Sequence, residues 1–185
     1  MMADREVTQA QYEELMDDAV YLQDEAEALK YVIDSVPYTE KTPEGKSIYG
    51  MLRFIDHSQK NYYRPIIEKV FSENRLIKLS DFESAENSFE AKSDDEEKDI
   101  QKVLNKIVKH RAALINIFKK ITLIDWERSI QDENGNTITM LTFAREMIRR
   151  ERKILKDIAD LVLIYQNEKQ QQKEVQMRAS KRNNE

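Results

Sequence analysis

TMLTFAREMIRRERKILKDIADLVLIY, residues 139–165, decides the fold class. Its apolar residues Met140, Phe143, Met147, Ile154, Leu155, Ile158, Leu161 and Val162 recur at three- and four-residue intervals. That spacing draws one apolar stripe along a helix, and the Arg, Lys, Asp and Glu between them form its charged outer face. After Tyr165 the run QNEKQQQKEVQMRASKRNNE continues as a polar extension and ends as a basic tail, frayed over residues 171–185.

Working towards the N-terminus, residues 121–139 read ITLIDWERSIQDENGNTIT. The Asn134-Gly135 pair is a tight-turn signal, and its short flanks predict a small hairpin or an extended excursion. Before it, Ile100, Val103, Leu104, Ile107, Leu114, Ile115 and Phe118 keep helical spacing and give helix three. Residues 83–99, ESAENSFEAKSDDEEKD, are polar and acidic and read as an exposed connection. A solvated helix start in the second half is the alternative. Ser47 caps helix two, whose buried face is Ile48, Met51, Leu52, Ile55, Tyr62, Ile66 and Val70. Pro65 inside that pattern predicts a kink or break near residue 64. Helix one runs from Thr8 to Ser35 on Leu15, Ala19, Leu22, Ala26, Leu29 and Ile33, and Val36-Pro37 stops it. Pro43 and Gly45 turn the loop that follows. The expectation is an all-α four-helix bundle forming one domain over residues 1–170, with a long connection between helices two and three.

Composition narrows the function classes. With only 3 Gly and 3 Pro, the chain lacks the punctuation of a turn-rich β-sandwich or barrel. The absence of Cys excludes disulfides, thiolate metal sites and a cysteine nucleophile. A net charge of −5 disfavours nucleic acid, since an acidic surface repels phosphates. No apolar run approaches the roughly 20 residues of a membrane span, and MMADREVTQAQYEEL has no leader pattern, so a cytoplasmic protein is expected. No Gly-rich phosphate loop, Ser–His–Asp set or His-Glu-x-x-His sequence is present.

Three stretches together resemble the DinB-like superfamily. They are PEGKSIYGMLRFIDH at 43–57, DWERSIQDENGNTITM at 125–140 and IRRERKILKDIADL at 148–161. That superfamily comprises four-helix bundles, among them YfiT-type metal-dependent hydrolases and the bacillithiol and mycothiol transferases. The resemblance covers roughly residues 8–165 and implies a metal held by three histidines, one from helix two and two from helix four. Carried over, these positions are His57, Arg150 and Ile154. Only His57 can bind a metal: a guanidinium has no lone pair to give and Ile offers hydrocarbon. A catalytic site needs about three protein donors and an open position.

Glu146, one turn before Arg150, is either a replacement oxygen donor or an i,i+4 partner of Arg150. Glu151 matches the family's Glu between the two His positions, but it lies about 100° round the helix from Arg150 and reads as solvated or at an interface. The residual pocket candidates are therefore His57, Glu146, Arg150 and Ile154, with His57 expected as a hydrogen-bonded structural residue. Arg150 either serves an anionic group or salt-bridges locally. His110 belongs on the rim. Trp126, Tyr62 and Tyr63 are core or pocket aromatics.

The resemblance implies a DinB-like protein without a competent metal site, serving as a small-ligand-binding or structural and interaction protein. No catalytic, cofactor-binding or metal residue is assigned, and whether the chain is an enzyme stays open. The alternative is a hydrolase or thiol-dependent transferase that uses His57 with carboxylate ligands around zinc or nickel. A homodimer is the expected assembly, with no nucleic acid or membrane partner and an unidentified small-molecule ligand.

Overall fold

A computed structural model describes residues 6–91 and 99–183. The first helix, α1 (Gln9–Leu29), opens on a capping box: Thr8 Oγ1 accepts from the Gln11 amide, and the Gln11 side chain accepts from the Thr8 amide. It stops at Leu29 rather than Ser35. The chain then tightens into a 3-10 turn, Ile33–Ser35, which still buries Ile33 before Val36-Pro37 turns it away.

Helix two is built in three pieces. Ser47 caps α2 (Ile48–Ser58), its hydroxyl accepting from the Gly50 amide at 3.0 Å. A π turn at Gln59–Tyr63 follows, in which the Arg64 amide reaches back five residues to the Gln59 carbonyl. Then α3 (Arg64–Ser72) starts with Pro65 in its first turn, where a missing N–H costs least. The break expected near residue 64 is this π turn, and the residue it inserts lets Tyr62 and Tyr63 both stay buried.

The connection to helix three differs from the sequence expectation. Residues 85–91 form α4 (Ala85–Ala91), which packs against α2 instead of standing exposed. Ala85 and Phe89, four residues apart, give this helix one apolar edge; Ala85 is buried, and Phe89 meets the Phe54 ring edge-on at 5.5 Å. The rest of the acidic stretch, 92–98, lies outside the described residues.

Asp99 caps α5 (Ile100–Lys119). A 3-10 turn at Asp125–Glu127 then sinks Trp126 into the core against Phe118 and Tyr12. The predicted hairpin forms from β2 (Ser129–Gln131) and β3 (Thr137–Thr139), with Ile130 opposite Ile138. Sequence reading missed β1 (Ile77–Lys78), which adds to β2 in parallel with Ile77 opposite Ile130. At two residues it is too short to leave a period.

The last helix, α6 (Met140–Arg182), is capped by Thr139. Its 43 residues span about 65 Å at ~1.5 Å per residue. The helix is continuous through the stretch expected as a tail, and every residue from 167 to 183 is exposed. Within the bundle, α1 and α2 lie diagonally opposite, each packed on both α5 and α6. None of the described helices is long and apolar enough to cross a membrane.

Candidate functional site

His57 stands in the last turn of α2, half-buried, with both ring nitrogens engaged. Asn61, one turn on, donates from Nδ2 to His57 Nδ1 and to the His57 carbonyl, each at 3.1 Å. With Nδ1 accepting, the ring hydrogen sits on Nε2 and is donated to Ser88 Oγ of α4 at 2.9 Å. The ring also tilts against Phe89, with centroids 5.5 Å apart.

Two residues before Ser88, Glu86 of α4 forms an ion pair with Arg150 of α6, whose guanidinium lies over the Phe54 ring at 5.5 Å. The short helix thus takes up both His57 and Arg150. The expected Glu146–Arg150 pair does not form. Arg150 turns to Glu86 instead, and among the described residues Glu146 has no ion-pair partner. Ile154 packs partly buried against the core, as its hydrocarbon side chain requires.

One turn deeper lies a charged layer that sequence reading misplaced. Glu151, expected to be solvated or at an interface, is only 2% exposed. Its carboxylate forms an ion pair with Arg111 of α5, itself 1% exposed, and accepts from Gln59 Nε2 of the π turn at 3.0 Å. Burial pulls the Arg111 guanidinium down to about 10, and the charge of Glu25 on α1 opposes that shift. At neutral pH Arg111 therefore stays charged. Each of the four long helices contributes one polar side chain to this layer.

The error over Glu151 came from taking Arg150 as the inward position. Arg150 sits on the rim, so the residue about 100° round from it faces the core. A usable signal was present: Arg111 follows Ile107 by four and precedes Leu114 by three, and Glu151 falls midway between Met147 and Leu155. Opposite charges in register on two apolar stripes mark a buried pair. Gln59, four after Ile55, follows the same pattern.

The neighbouring pocket, about 390 Å³, opens between the hairpin turn and α6. Tyr62, Tyr63, Phe143 and Met147 give it an apolar wall, and Glu133, Glu146 and Arg150 are among its charged residues. Of the four residual pocket candidates it unites Glu146 with Arg150; His57 and Ile154 do not line it. Burial raises the Tyr62 phenol to about 12, assisted by Tyr63 and Glu133 and opposed by Arg150. Tyr63 is also raised by burial, against the charge and hydrogen bond of Arg150. Trp126 belongs to the core and not to this pocket. His110 sits on the bundle's rim, with Nε2 3.0 Å from Asp56 Oδ1.

Among the described residues, no group of three or more His, Cys, Asp or Glu is placed to hold a metal ion. No family model and no curated protein sequence matches the chain. A solved structure does: YfiT from Bacillus subtilis, described as a probable metal-dependent hydrolase with an unusual four-helix bundle topology. The match covers 87% of this chain and 91% of that one, with a TM-score of 0.68 at 13% identity. The chain has the YfiT-like four-helix-bundle fold. At this identity the likeness speaks for the fold alone.

Proposed function

We propose that this YfiT-like bundle acts without a metal, as a binding protein whose small ligand enters the pocket between the hairpin turn and α6. The observation that carries this reading is the engagement of His57 by Asn61 and Ser88 on its two ring nitrogens. The positions that the resemblance pairs with it are an ion-paired Arg150 and the hydrocarbon Ile154. A metal that draws on about three protein donors would find one imidazole here, with its hydrogen on the nitrogen that faces α4. These residues do not fit the metal site that the YfiT-like fold implies.

The hydrolase or transferase alternative needs His57 and Glu146 to act on one ion. Glu146 lines the pocket and His57 does not, which supports the binding reading over the catalytic one. Calorimetric titration of protein free of any His-tag with zinc and with nickel tests the proposal. The expected result is no stoichiometric binding. One tightly bound equivalent that disappears in His57→Ala would overturn it.

A further inference from the structure

The same pocket carries an imbalance of charge and an unused hydroxyl, and together they define a ligand class. Of its three carboxylates, Asp132 is spent on the hairpin turn: Oδ1 accepts from the Asn134 and Asn136 amides, and Oδ2 from the Asn136 side chain. Arg150, the pocket's cation, is neutralised by Glu86. Glu133 and Glu146 remain, and among the described residues neither has an ion-pair partner. Two pocket carboxylates therefore have no cation paired with them and are not held by the hairpin turn.

Tyr62 supplies the independent observation. The residue is about nine-tenths buried and lines the pocket, while its hydroxyl oxygen opens to solvent there and has no hydrogen-bond partner among the described residues. Tyr63 meets Tyr62 edge-on at 5.0 Å and Phe143 at a tilt at 5.9 Å, so the wall beside the hydroxyl is aromatic. The raised Tyr62 phenol keeps its hydrogen, leaving oxygen lone pairs to accept from a donor. Carboxylates and a phenol oxygen around an aromatic wall recognise an N–H-bearing cation, through charge-assisted hydrogen bonds and the ring faces. A volume of about 390 Å³ suits a small molecule.

We infer that this pocket binds a small primary amine, its ammonium held by Glu146, Glu133 and the Tyr62 hydroxyl and its apolar body laid on Tyr63, Phe143 and Met147. The inference rests on the proposed metal-free binding role and names the ligand chemistry for it.

Three probes on one frame test it by calorimetry: phenethylamine, 2-phenylethanol and phenylacetate, respectively cationic, neutral and anionic. Phenethylamine binds saturably and at least about threefold more tightly than 2-phenylethanol, a gap that narrows as salt rises. Glu146→Gln, at an exposed position that leaves the bundle intact, lowers that preference, and Glu133→Gln added to it removes the rest. Tyr62→Phe weakens the amine more than the alcohol. Tighter binding of phenylacetate, equal binding of amine and alcohol, or no saturable binding by any probe would overturn the inference. So would a preference that Glu146→Gln leaves unchanged or that survives the double substitution. Failure here leaves the metal titration to decide the metal-free reading separately, because that experiment reads His57 and not the pocket.

Discussion

Glu151 and Arg111 meet where the four long helices converge, and their energetics are those of a buried ion pair. Each charge lost its water on folding, and each depends on the other for compensation. Arg111→Met or Glu151→Leu alone leaves one charge stranded in the core and should cost about 3–5 kcal/mol in urea unfolding. The double substitution should recover most of that loss. If the two single costs simply added, the pairing would be disproved.

Tyr62 gives a second residue-scale expectation, with a definite sign. Its folded value is raised, so the stability linked to its neutral form is complete below the ordinary phenol range and lost as pH climbs towards about 12. Between roughly pH 10 and pH 12 the wild type should therefore lose more stability than Tyr62→Phe. The lowered Arg111 value acts in the opposite direction over that window but is common to both proteins, so the comparison cancels it. Parallel losses in the two proteins would contradict the assignment. At this scale the sequence was only partly legible. His57 and Arg150 could be placed by resemblance, whereas their partners Ser88 and Glu86 come from a stretch with too few apolar residues to announce a helix.

At the scale of the element, caps and turns fix where the pieces begin. The Thr139 hydroxyl accepts from the Thr142 amide at 3.1 Å and starts α6 directly at the end of β3, so one residue joins hairpin to helix. Thr139→Ala should cost about 1 kcal/mol of stability by urea denaturation, and an unchanged midpoint would show that the cap is idle. Gly135 has a φ of +84°, a left-handed value that the hairpin turn requires and that Asn134-Gly135 signalled in advance. Long elements with strong periodicity were therefore readable, with boundaries set by named caps. Short ones were not. β1 exists because Ile77 and Ile130 pair across the fold, and α4 because Ala85 and Phe89 find α2; both depend on tertiary partners that no local window contains.

At the scale of the whole molecule, α4 ties the second helix to the last one. Packed on α2 and reaching α6 through Glu86, it takes up His57 through Ser88 and Arg150 through Glu86. In the sequence, the resemblance pairs His57 with Arg150 and Ile154. In the structure His57 ties the helix-two connection to the bundle through Ser88, with Asn61 holding its orientation. The acidic pocket shares Arg150 with this closure, so the proposed ligand would sit beside α4. The measurement that bears most directly on this account is the long-range proton–nitrogen NMR spectrum of the His57 ring, recorded at pH 8 before and after one equivalent of zinc. The account predicts hydrogen on Nε2 with Nδ1 accepting, and a ring signal that zinc leaves in place. A His57 signal that shifts to a metal-bound nitrogen and saturates at one equivalent would contradict it.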